Sequence, residues 1–219
     1  MSRKMKLLAC SIGLLAFVAA LPATSKASTV IYSDFGSNNN YDCCEGYTIS
    51  GSNSVIGTAY SDAMLFTSGA NYSVTQLDVA VGYVTGTNGA QISIAEDNGG
   101  IPGTSLGSWA VTGLTTFGNC CDVATVSGIT GVDLLAGWNY FVVVDPGGSD
   151  TWDAWNLNTV GAIGQLDQSN NGVWNQYTGS TLGAFDVLGN PSGTTPEPAT
   201  LLLLGTGLLG IYSRRRRKV

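Results

Sequence analysis

Between Ser28 and Leu188 the apolar positions recur mostly at every second residue, in short runs that clusters of Gly, Asn, Ser and Asp interrupt. The clearest run is YSVTQLDVAVGYV, where Leu77, Val79, Val81 and Tyr83 alternate with Asp78, Ala80 and Gly82. Period two sends successive side chains to opposite faces, so the run predicts a half-buried strand. QISIA follows the turn residues Thr87, Asn88 and Gly89, and EDNGGIPG predicts a second turn before a strand around LGSWAVTGL. Further strands are expected over Asp122 to Ser127, Trp138 to Val144, Thr151 to Leu157, Val173 to Tyr177 and Ala184 to Leu188, and near the start over Thr29 to Tyr32 and Ala59 to Thr67. No segment reads as a long amphipathic helix, and about nine to eleven short strands at this spacing suit a sandwich. The expected fold is all-β: a single antiparallel β-sandwich, jelly-roll-like, over residues 28–188, with 189–195 as linker.

The two ends follow other patterns. Residues 1–27 place Arg3, Lys4 and Lys6 before an apolar run from Leu7 to Leu21, then Pro22 and small residues. That is a secretory signal peptide, with signal peptidase cutting between Ala27 and Ser28. Cys10 precedes most of the apolar run instead of following it, which is the wrong geometry for a lipoprotein signal. At the other end, residues 196–219 hold Pro196-Glu197-Pro198, the mainly apolar stretch from Ala199 to Ser213, and the basic block from Arg214 to Lys218. The apolar stretch is shorter than the ~20 residues of a full membrane span, yet with five cations behind it a short C-terminal transmembrane helix is expected. Positive residues stay in the cytoplasm. The localisation that follows is an exported chain, anchored in the inner membrane as a precursor, with its body outside and the mature form at the cell surface or extracellular.

Charge changes the picture most. All nine basic residues lie in the two ends, histidine is absent, and fourteen of the fifteen acids precede Glu197, so the body carries a formal charge of −14 with no internal counter-charge. Nucleic-acid binding, which needs Lys and Arg against phosphate, is excluded for the body. Histidine bases, Ser-His-Asp systems and lysine-closed phosphate loops are excluded with it. Any acidic domain offers carboxylate pairs of the kind that hydrolyse glycosides, but nothing singles one out, and the expectation is that the chain is not an enzyme.

Three groups of residues carry candidate chemistry. Cys43, Cys44, Cys120 and Cys121 form two adjacent pairs, and an even number in an exported chain points to disulfides. Neighbouring Cα atoms lie only about 3.8 Å apart, below the usual disulfide range, so bridges from one pair to the other are favoured and two vicinal bridges are the alternative. In TWDAWN, Trp152 and Trp155 beside Asp153 and Asn156 are possible glycan contacts, against the plainer reading that the body's five tryptophans fill the core. Asp145, Asp150 and Asp153, and separately Glu96 and Asp97, sit on glycine-rich turns that suit calcium chemically without reproducing an EF-hand, so a calcium site stands beside ordinary turn aspartates. No other cofactor is expected.

The tail, with Thr195-Pro196-Glu197-Pro198, Ala199-Thr200-Leu201-Leu202-Leu203-Leu204-Gly205 and Arg214 to Lys218, closely resembles the PEP-CTERM sorting tail of bacteria that make extracellular polysaccharide. Such tails are also labelled an ice-binding-protein C-terminal motif. The resemblance implies that an exosortase recognises Pro196, Glu197 and Pro198, cuts nearby and releases or transfers the body, so signal peptidase, exosortase and, transiently, the inner membrane are the expected partners. More weakly, Asp97-Asn98-Gly99-Gly100-Ile101-Pro102-Gly103 with Leu106, and Leu135-Ala136-Gly137-Trp138-Asn139-Tyr140, resemble the choice-of-anchor β-sandwich domains that travel with these tails. The expected role is structural or adhesive, in an exopolysaccharide or biofilm matrix. The alternative is a carbohydrate-binding module recognising extracellular polysaccharide.

Overall fold

The computed structural model describes residues 28–120 and 122–192. The expected signal peptide up to Ala27, Cys121, the triplet Pro196, Glu197 and Pro198, and the apolar and basic tail lie outside the described residues.

The described chain forms strands joined by turns, in the order β1 (Thr29–Ser33), β2 (Tyr41–Ser50), β3 (Tyr60–Thr67), β4 (Tyr72–Val79), β5 (Val81–Thr85), β6 (Gly89–Asp97), β7 (Pro102–Thr112), β8 (Ala124–Ser127), β9 (Asp133–Leu134), β10 (Asn139–Pro146), β11 (Trp152–Asn158), β12 (Ile163–Asn170), β13 (Val173–Thr181) and β14 (Phe185–Pro191). They build two antiparallel sheets. The smaller runs β1-β14-β4-β8, with β9 also on β4; the larger runs β5-β11-β2-β3-β10-β6-β7, with the β12–β13 hairpin joined to β3. Alternation along these strands sends one face of each sheet inward, as the period-two pattern requires. Val74, Leu77, Val79, Phe185 and Val187 of the smaller sheet meet Ile49, Met64, Ile92, Ile94, Val142 and Trp155 of the larger in one core. Each fully buried aliphatic or Phe side chain contributes about 1.5–3 kcal/mol.

Two features depart from a plain sandwich. The run YSVTQLDVAVGYV is not one strand but two, divided at Ala80, where the chain leaves the smaller sheet and enters the larger. The Ala80 N–H donates to the Ala184 carbonyl and its own carbonyl accepts the Asn156 N–H, so the corner's backbone groups stay paired. The β12–β13 hairpin also curls over the outer face of the larger sheet. Trp174 and Leu65 there cover a second small core of Ala63, Ala95, Phe141 and Val143, and Gln165 Nε2 donates to the Gly100 carbonyl at 2.7 Å. This second layer explains the unbroken apolar run of β10, which is buried on both faces.

At its end, β14 continues to Pro191, three residues into the stretch expected as linker, because Gly189, Asn190 and Pro191 pair with Val74, Ser73 and Tyr72 of β4. Ser192 then donates its N–H to the Asn71 carbonyl at 2.9 Å.

Candidate functional site

The cysteines come together as a cross-pair staple. Cys43 and Cys120 are bonded, with Cα atoms 5.3 Å apart and a separation of 77 positions in sequence. Cys44, expected in a second bridge, instead carries a free, exposed thiol. On extended backbone the side chains of adjacent residues diverge, so the arrangement that aims Cys43 at Cys120 turns Cys44 away. Its N–H donates to Asp42 Oδ1 at 2.9 Å.

Of the possible glycan contacts at TWDAWN only Trp152 reaches the surface, because the four residues from Asp153 to Asn156 are buried on both faces of β11. Trp155 is 0% exposed; its Nε1–H donates to the Ala184 carbonyl at 3.0 Å, and its ring meets Phe185 edge-on. Gly183 lies against that indole so closely that a Cβ would stand 2.7 Å from ring atoms. Asp153 and Asn156, expected beside these contacts, are buried as well. Trp152 is half-buried. The exposed tryptophan is Trp138, at 60%, with Leu135 at 48% on the same turn.

The aspartates are the site's least expected feature. Asp34, Asp62, Asp78, Asp153, Asp167 and Asp186 are all buried, in a body with no cation to pair them. Burial disfavours the charged form and raises a carboxyl pKa. Asp62 on β3 is pushed up to about 8 by desolvation, opposed by the Gln168 amide, which donates to Oδ1 at 2.9 Å; Oδ2 has no partner. Asp153 is raised to about 7 by desolvation alone, and neither of its oxygens accepts a hydrogen bond. Asp186 and Asp78 face each other across β14 and β4. Desolvation and then the Asp78 charge raise Asp186 to about 7, while Asp78 accepts from Thr125 Oγ1 and Gln76 Nε2. Burial raises Asp34 to about 7, against the Phe185 N–H that it caps at 2.7 Å. Asp167 rises to about 6 for the same reason, offset by Gln165. Asp62 therefore keeps its proton at neutrality, and Asp34, Asp153 and Asp186 keep theirs in part, so the working charge of the body is smaller than its formal −14.

The calcium turn does not assemble. Asp145 lies on β10, raised by burial and bonded to Ser61; Asp150 is exposed and accepts from Thr87 Oγ1 at 2.7 Å; Asp153 is enclosed on β11. Among the described residues no three His, Cys, Asp or Glu side chains converge as a metal-holding group. Asp97 accepts the Gly100 N–H of its own turn at 2.6 Å, where Gly99 and Gly100 take positive φ, which is the turn-aspartate reading. An open cleft of about 280 Å³ lies between Val81, the end of β7 and the start of β8; Asp122 is its one acid and accepts from Thr115 Oγ1 at 3.0 Å. The lining therefore offers no acid–base pair.

The point where the tail leaves the body is well defined. Asn71 binds Ser192 through its carbonyl and, through Oδ1, the Ala136 N–H at 2.8 Å. The exposed turn around Trp138 and the last described residue thus share one partner. The other terminus is close by, because Thr29 pairs with Gly189.

Residues 194–217 match the family described as the PEP-CTERM protein-sorting motif. The chain is therefore an exported protein whose membrane-anchored precursor is processed by an exosortase, with Pro196, Glu197 and Pro198 inside the matched segment. The match covers the tail and leaves the body unassigned. Comparison with curated proteins returned no match.

Proposed function

We propose that the exported body is a non-catalytic structural or adhesive component of an extracellular polysaccharide matrix, delivered at the inner membrane and freed or transferred by exosortase processing. The observation that carries this reading is the sorting tail at residues 194–217, behind a disulfide-stapled sandwich that has no Lys, Arg or His. The absence of Lys, Arg and His from the body, and the single acid in the cleft, speak for a building or binding part over a catalyst. Carbohydrate recognition at TWDAWN is the weaker reading, since only Trp152 of that group reaches the surface.

The test is made in the native host. Mature protein should lack both the leader and the basic tail by mass spectrometry, and should fractionate with the polysaccharide. Pro196→Ala or Glu197→Ala should leave unprocessed precursor in the inner membrane. Mature protein ending at Val219 would overturn the sorting step, and correctly processed protein found wholly free in the medium would overturn the matrix role.

A further inference from the structure

We infer that the Leu135–Trp138 turn is a membrane footing: while the precursor is anchored by its tail, Leu135 and Trp138 rest in the headgroup region of the bilayer and hold the body against its outer surface. The inference rests on the reading of the tail as a membrane anchor, and three observations carry it further.

The first is position. Ser192 and Ala136 are both bonded to Asn71, so the turn sits beside the exit of the chain. The mainly apolar stretch begins at Ala199, seven residues after Ser192, and seven residues reach at most ~25 Å. The turn cannot lie farther than that tether allows from the surface in which the tail inserts.

The second is chemistry. Exposed Trp beside Leu, with no charge on the turn, is the composition that partitions into a membrane interface, where the indole body is apolar and its N–H stays wet. The neighbouring amides are already used: Asn139 Oδ1 accepts from Thr67 Oγ1 at 2.7 Å, its Nδ2 donates to Asp97 at 3.4 Å, and Asn71 Oδ1 holds Ala136. A sugar stacked on Trp138 would find few free polar groups for its hydroxyls, which favours lipid over glycan as the occupant.

The third is rigidity. The Trp138 carbonyl accepts the Ser68 N–H at 3.0 Å, the Gly137 N–H donates to the Ser68 carbonyl at 2.7 Å, and the Leu135 N–H donates to Tyr140 Oη at 2.8 Å. The indole is thus presented on a turn whose backbone is clamped to the β3–β4 connection, so contact has no backbone to order.

The experiment uses the leader-processed precursor, Ser28 to Val219, reconstituted with phosphatidylethanolamine/phosphatidylglycerol vesicles that carry lipids brominated near the headgroup. Flotation reports whether the tail anchors, and bromine quenching of tryptophan fluorescence reports whether the turn touches lipid. The expected result is that wild type and Trp138→Phe float equally, that wild type shows a quenchable fraction, and that Trp138→Phe loses it, with Leu135→Ser reducing it. Equal quenching of wild type and Trp138→Phe, with both floating, overturns the footing and leaves the anchor standing. Failure of wild type to float removes the anchor and the footing together. Protection of Trp138 from acrylamide by the host polysaccharide, with no bromine quenching, would assign the turn to glycan instead.

Discussion

Asp62 offers the sharpest test of how a body without cations tolerates buried acid. Its carboxyl is 0% exposed, one oxygen takes the Gln168 amide and the other takes nothing. An ordinary Asp titrates near ~3.9 in the unfolded chain, and here burial lifts it to about 8. Between those values the folded state keeps a proton that the unfolded state has lost. The native state is therefore most favoured below the unfolded pKa, loses stability as pH rises, and levels off above the folded pKa. At about 1.4 kcal/mol per pH unit the full interval amounts to about 6 kcal/mol as a ceiling, and solvent relaxation around a buried charge brings the expected loss nearer 2–3 kcal/mol. Asp62→Asn keeps an acceptor for Gln168 and cannot ionise. Urea unfolding of the disulfide-intact body from pH 4 to 9 should show the variant within about 1 kcal/mol of wild type at pH 4 and more stable than wild type by about 2–3 kcal/mol at pH 9. Relief of surface repulsion also favours acid pH, but it acts on both proteins and cancels in the difference. A wild-type-minus-variant difference that stays flat across this range would refute a neutral buried carboxyl at Asp62.

Three further outcomes follow from the same geometry. Cys43→Ala opens a loop of 77 residues and should cost about 4.5 kcal/mol on the chain-entropy account; a loss under about 1 kcal/mol in reversible denaturation would show that the bridge does not constrain the unfolded chain. Trp155→Ala should destabilise by about 3–5 kcal/mol as a core truncation, and a variant of unchanged thermal midpoint would contradict its burial. Because Asp145, Asp150 and Asp153 do not converge, calcium and sodium chloride at equal ionic strength should raise the melting temperature equally, and a larger calcium shift by calorimetry would reveal a site that these residues do not form.

Much of the architecture was legible because period-two runs such as that of β4 carry their own signature. Their limits are physical. Ala80 is buried on both sides, so unbroken alternation from Leu77 to Tyr83 gave no sign of a change of sheet. β2 and β12 show no period-two signature because YDCCEGYTIS and IGQLDQSN are largely polar; Asp167 and Ser169 of β12 are buried in the hairpin, a placement that only long-range contacts create. The buried aspartates do carry a readable signal: Asp62, Asp78, Asp153 and Asp186 sit inside strand-like runs, as in SDAMLF, QLDVA, TWDAW and AFDVL, not on the turns where aspartate is common. Trp138 reads in sequence as the start of the strand to Val144, whereas β10 begins at Asn139 and leaves Trp138 exposed on the turn, since exposure does not show in sequence.

The placement of the two termini has a mechanical consequence. β1 begins and β14 ends at the same end of the smaller sheet, paired antiparallel, while Ala80, just beyond the other end of β4, packs in a cluster with Cys43. A pull applied between the two termini would open the β1–β14 hydrogen bonds one at a time, as a zipper opens. A load between the C-terminus and the disulfide end runs along β14 instead, and strains its bonds to β1 and β4 together in shear. A body tethered by its C-terminus and gripped from the far side is therefore loaded in its tougher direction.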